Sequence, residues 1–133
     1  MTILDESVLR QLHEELGRAT FEEALRVFLG SARSARNDIG ACVAGGDTAP
    51  LAQIAHKFKS SSLMFGGLEV AAQARRLEAL ARVDPAGALA DAPALADALR
   101  RVESRLESYL GSIDDPHPIP RPRDGPAGPD RSR

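Results

Sequence analysis

Residues 20–46 read TFEEALRVFLGSARSARNDIGACVAGG, and their spacing decides the class of the fold. Phe21, Leu25, Phe28, Ala32, Ala35, Ile39, Cys42 and Val43 recur every three or four positions, the period of one face of an α-helix. Thr20 and Glu23 have capping-box spacing, and Gly45 with Gly46 supplies a stop. The stretch therefore predicts one long amphipathic helix beginning at Thr20. Cys42, the only cysteine, has no partner for an internal disulfide and falls within the apolar stripe, so it reads as a core thiol.

The same period continues on both sides. Toward the N-terminus, Asp5 is placed as an N-cap, Leu4 and Leu9 as a hydrophobic staple, and Val8, Leu9, Leu12 and Leu16 as an apolar stripe that Gly17 ends. Toward the C-terminus, Asp47 caps a third helix running to about Phe65, with Leu51, Ile54, Ala55, Phe58, Ser62 and Phe65 on one side. Gly66 and Gly67 break it. Residues 68–82 keep Val70, Ala74, Leu77 and Ala81 together until Asp84 and Pro85 interrupt, and residues 93–111 repeat Leu95, Leu99, Val102, Leu106 and Leu110. Residues 85–92 carry no assignable period. Short glycine-containing turns favour antiparallel neighbours, so the expected fold is all-α, an antiparallel four-helix bundle with an additional short N-terminal helix over residues 1–113. The last twenty residues, 114–133, hold six prolines and two glycines and read as a proline-rich disordered tail.

Composition narrows the function. The chain has 133 residues, 43% hydrophobic and 27% charged, with 4% aromatic and no Trp, the profile of a globular helical protein. A net charge of −2 supplies no positive field for phosphate backbones or anionic lipid, so nucleic acid and membrane are not expected partners. MTILDESVLR lacks the basic and apolar segments of a signal peptide, and no run of about 18 apolar residues exists to span a bilayer, so a cytoplasmic location is expected. GxxxxGK, GxGxxG and a Glu-x-x-His pair are all missing, so no cofactor and no metal are expected.

On the third helix, counting 100° per residue places His56 about 160° from the centre of the apolar face. It should project into solvent. Ala52, Ser60 and Leu63 stack above and below it, Gln53 and Lys59 flank the stripe, and the small side chains of Ala52 and Ser60 leave the imidazole uncovered. Neutral imidazole is a nucleophile near neutral pH, and Lys59 one turn away offers a counter-charge to phosphate oxygens. The chain's two lysines, Lys57 and Lys59, both fall within three positions of His56. Leu63, exposed one turn further on, reads as part of a docking patch. His13 is expected as a plain surface residue, and His117 lies in the tail.

The string HKFKSSSLMFGG, residues 56–67, resembles the signature of the histidine phosphotransfer (HPt) family: His, an apolar residue two later, Lys three later, small residues next and Gly ten later. Phe58, Lys59, Ser61, Ser62 and Gly66 fall in register, while Ser60 replaces a common Gly and Gly67 a common Ala. The resemblance extends from about residue 3 to 110. It implies that His56 is the phosphoacceptor and Lys59 the cation that steadies the phosphate; from the helix face itself, Ser60 is expected to help orient the phosphate, and Ala52, Gln53, Lys57 and Leu63 to dock the partner. It also implies a monomeric phosphoryl carrier, not an enzyme, exchanging phosphate with aspartates of receiver domains in response regulators or hybrid histidine kinases, the Mg²⁺ belonging to the receiver. The alternative is an adaptor that binds receiver or kinase domains with no phosphate moving. A serine enzyme built on Ser60 to Ser62 is disfavoured, because those serines lie mid-helix and not on a strained turn.

Overall fold

The computed structural model describes residues 2–114, and every regular element among them is helical: α1 (Glu6–Leu16), α2 (Arg18–Gly45), α3 (Ala49–Met64), α4 (Leu68–Val83) and α5 (Pro85–Asp114). The expected all-α class is what the chain adopts. The proline-rich tail reading, His117 included, falls outside the described residues beyond Asp114.

Each helix turns its predicted stripe inward. Leu9 from α1, Phe21, Leu25 and Ile39 from α2, Leu51 and Phe58 from α3, Val70 and Leu77 from α4, and Leu95, Leu99, Val102 and Leu106 from α5 are all fully buried. Each such side chain contributes about 1.5 to 3 kcal/mol relative to exposure. Helix α3 packs on α4, α4 on α5, α5 on α2 and α2 on α3, so the four longer helices share one core; α1 lies against α2 and α3. Arg33 and Arg36 of α2 pair with Glu107 and Glu103 of α5, at 2.5 and 2.7 Å, an order that ascends one helix and descends the other. Glu69 and Arg76 of α4 pair with Arg101 and Asp91 of α5 in the same inverted order. Cys42 is buried, and burial pushes its thiol above the ordinary value, in keeping with a core role.

Several boundaries differ from the sequence reading, each for a local reason. Helix α2 begins at Arg18 and not at Thr20, because Gly17, at φ +81°, ends α1 by donating to the His13 carbonyl and starts α2 by accepting from Phe21 N–H. Thr20 makes no capping box and is exposed. Asp47 does take a backbone amide, that of Ala49 at 3.0 Å, although Thr48 is the residue at the N-cap itself. Helix α5 includes the unassigned residues 85–92. Pro85 sits at its first position, where no N–H is needed, and Asp84 Oδ1 accepts from Gly87 N–H at 3.0 Å. Pro93 lies inside the helix on its exposed side. Leu16 and Val43, placed on apolar stripes, are 39% and 41% exposed.

His13 is not the plain surface residue expected. Its ring stacks on Phe21 at 4.7 Å, and both rings meet Tyr109 edge-on. Helices α1, α2 and α5 are thereby joined at one end of the molecule.

Candidate functional site

Helix α3 runs along the outside of the core with its Leu51, Ala55, Phe58 and Ser62 face turned in. Ser62, buried, returns its hydroxyl to the Phe58 carbonyl, satisfying a polar group that the core would otherwise penalise. The opposite face carries Gln53, His56, Lys57, Ser60, Leu63 and Met64, all exposed. The His56 side chain is 71% exposed, as the helical count required. Ala52 is half-buried, Lys59 half-buried, and Gly66 and Gly67 are buried at the turn beyond the helix.

The ring is not bare on both sides. Glu78, projecting from α4, brings Oε2 to within 2.8 Å of His56 Nδ1. Its Oε1 lies 2.8 Å from Lys59 Nζ, and Arg82, one turn further along α4, reaches Oε2 at 3.6 Å. So the ammonium expected beside His56 as a counter-charge to phosphate is engaged with a carboxylate, and the imidazole has one nitrogen held and one open. A carboxylate can only accept, so in the neutral ring Nδ1 bears the proton and the lone pair is left on Nε2. Among the described residues Nε2 makes no hydrogen bond.

The Glu78 side chain is only 10% exposed. The hydrogen bonds from Lys59 and then His56 hold its carboxyl below the usual carboxylate range, against burial, which pushes the other way. A depressed folded-state value means that the carboxylate supports the fold above the unfolded-state value, about pH 4.3, and that this support disappears as pH falls through the lower folded value. Wild type is thus expected to exceed Glu78→Gln in denaturant midpoint at neutral pH, with the gap narrowing as pH falls below about 4.3. A gap that widened on acidification would contradict the assignment.

Glu78 was not visible as a site residue in the sequence. A signal existed: it shares a helical face with Ala71, Ala74 and Ala81, where a charged side chain must find a partner. Which partner depends on how α3 and α4 pack, and no local pattern states that.

Beside this face lies a groove of about 350 Å³ between α2 and α3. Phe28 and Phe65 form its floor, Val27 and Met64 its exposed walls at 65% and 58% exposure, and Lys57, bonded to Ser31 Oγ at 3.3 Å, its rim. Leu63 continues the apolar surface at 45% exposure. Of the predicted docking residues, Lys57 lines this groove, and Leu63 is exposed about two turns along α3 from His56, next to Met64 in the chain.

No group of three or more His, Cys, Asp or Glu residues that could hold a metal ion occurs among the described residues, and none of their helices is long and apolar enough to cross a membrane. The family model for the Hpt domain matches residues 23–111, about two thirds of the chain. No curated protein and no solved structure matches it.

Proposed function

Because the chain belongs to the Hpt domain family, and hence to phosphorelay signalling, we propose that it carries a phosphoryl group on Nε2 of His56 between aspartates of receiver domains. The four longer helices act as an antiparallel bundle that holds this site rigidly, with α1 as an added strap. The observation that carries the reading is the asymmetric imidazole: exposed, with Nδ1 tied to Glu78 and Nε2 open.

Transfer begins with Nε2 directing its lone pair at the phosphorus of an aspartyl phosphate, in line with the departing aspartate oxygen. The Nε2–P bond forms as the P–O bond breaks, and the electron pair leaves with the aspartate carboxylate. Such reactions depend on alignment and charge neutralisation more than on covalent help from the protein. Lys59 is positioned to turn part of its charge from Glu78 to the phosphate oxygens, and Ser60, one turn from His56, is small enough to leave the approach open. Mg²⁺ and the acidic pocket that holds it are the receiver's contribution, so this chain is a carrier and not an enzyme. A receiver would settle on Ala52, Gln53, Lys57 and Leu63, with Met64 extending the apolar contact.

The direct test is incubation with a phosphorylated receiver domain and Mg²⁺, followed by transfer of an acid-labile, alkali-stable label to this chain. A receiver that binds and keeps its phosphate would support the adaptor alternative instead. A surface variant separates docking from chemistry. Leu63→Glu is expected to slow transfer from a receiver about tenfold, the cost of one well-placed apolar contact replaced by a charge. It should leave labelling by phosphoramidate, a small donor that needs no docking, unchanged. Equal loss with both donors would remove Leu63 from the interface.

A further inference from the structure

We propose that the groove between α2 and α3 is the seat of this chain's own proline-rich segment, residues 116–123, with Ile119 against its aromatic floor. Phe28 and Phe65 meet at 4.9 Å to form that floor, and the large apolar side chains of Val27 and Met64 beside it stay exposed. Aromatic-lined grooves suit proline-rich segments, which bind in an extended form and give up little conformational freedom in doing so.

Residues 115–124 read DPHPIPRPRD, with proline at every second position from 116 to 122. Each proline fixes its own φ and biases the residue before it toward extended backbone. Three residues complete a turn of a polyproline helix, so in that form Pro116, Ile119 and Pro122 share one face. Ile119 is the one large aliphatic residue between positions 115 and 133, which makes it the natural anchor. Such a backbone has carbonyls with no internal partner. The groove holds a donor for one of them: Ser61 lines it, with a hydroxyl that is enclosed and makes no hydrogen bond among the described residues.

Reach and charge point the same way. Asp114, where the described residues end, is seven positions beyond Glu107, the partner of Arg33. Because the α2–α5 ion pairs run in inverted order, Asp114 lies level with the part of α2 seven positions before Arg33, between Ala24 and Val27 of the groove. Ala24, Val27 and Ser31 occupy the flank of α2 roughly opposite Arg33 and Arg36, so the chain must pass half-way round a helix about 10 to 12 Å across, a path of about 16 to 19 Å. The five residues from Asp114 to Ile119 reach about 16 to 18 Å. Past Lys57 the groove continues into a cleft lined by Asp38, which makes no salt bridge among the described residues. Asp38 stands about 10 Å beyond Ser31 along α2, and Arg123 about 12 Å beyond Ile119 in the polyproline form. Lys57 itself is turned to Ser31 Oγ at 3.3 Å and lies over the Phe58 ring, leaving the floor clear.

Seated there, the segment and an incoming receiver exclude one another over Lys57 and Met64. Tethering makes weak contact sufficient: at an effective concentration of about 1 mM, a dissociation constant of about 0.1 mM fills the groove roughly nine-tenths of the time.

Met64 reports that occupancy, because its thioether is oxidised only where peroxide reaches it. Full-length wild type, Ile119→Asp and Ile119→Val are treated with dilute hydrogen peroxide, with free methionine in the same tube as reference, and Met64 sulfoxide is followed by peptide mass spectrometry. Circular dichroism confirms that the three share one fold. Wild type and Ile119→Val are expected to oxidise at Met64 about tenfold more slowly than Ile119→Asp, independently of protein concentration. Equal rates in wild type and Ile119→Asp, or an Ile119→Val as unprotected as Ile119→Asp, would overturn the inference. Protection that grows with protein concentration would seat the segment on a second copy and overturn it equally. No phosphate enters the measurement, so its failure leaves the carrier reading untouched, and failure of phosphate transfer leaves this inference standing.

Discussion

His56→Gln is expected to take no phosphate from a phosphorylated receiver domain while keeping the wild-type helix content and melting behaviour. Activity disappears because glutamine offers neither nitrogen lone pair as a nucleophile, and His13, engaged with Phe21 and Tyr109 at another place in the fold, cannot replace it. Stability is spared because the ring is 71% exposed and buries little apolar surface. Its removal does not strand Glu78 either, since Lys59 still holds the other carboxylate oxygen at 2.8 Å. The change in unfolding free energy should stay within about 0.5 kcal/mol, typical of a surface substitution. Label retained in the variant, measured as acid-labile phosphate on the protein, would place the phosphoacceptor elsewhere.

The largest structural effect is expected from Gly66→Ala. Gly66 follows α3 in the left-handed region at φ +78°, which costs an L-residue about 1 to 2 kcal/mol. An added Cβ would also lie 2.5 Å from the carbonyl oxygen of Asp5, whose own N–H donates to the Gly66 carbonyl at 2.8 Å. That contact is backbone against backbone, so no side chain can rotate away, and the strap formed by α1 must shift. Strain and overpacking together should cost about 3 kcal/mol and lower the melting temperature by roughly 10 °C. Gly30→Ala provides the contrast, because a Cβ there meets nothing within 4 Å in mid-helix. It should stabilise by about 0.5 to 1 kcal/mol. Identical melting of Gly66→Ala and wild type would refute the account. The glycine ten positions after His56 in the signature is thus a requirement of the turn and of the α1 contact, separate from phosphate chemistry.

What could be read in advance follows from how far each determinant reaches along the chain. Glycines bounding α1, α2 and α3 act locally, and the apolar period acts over a few turns, so helix existence and the outward direction of His56 were legible. Residues 85–92 were not, because Pro85, Gly87 and Pro93 resemble breakers; at the first helical position and on an exposed face, prolines are tolerated. The aromatic cluster of His13, Phe21 and Tyr109 joins three helices and leaves no trace in any one of them. Glu78 marks the same boundary within the site. Lys59 was found by its three-residue spacing from His56, whereas Glu78 lies 22 residues away and meets the ring only through the packing of α4 on α3.

The junction of Tyr109 with Phe21 and His13 has an optical consequence. The chain contains one tyrosine and no tryptophan, so ultraviolet emission comes from a single phenol with rings at 5.8 and 6.3 Å. Fluorescence during denaturation therefore watches where α1, α2 and α5 meet, whereas far-ultraviolet ellipticity averages over every helix. Coincident curves would establish that this corner melts in concert with the rest, and an earlier fluorescence transition would reveal α1 detaching first, without any label being introduced.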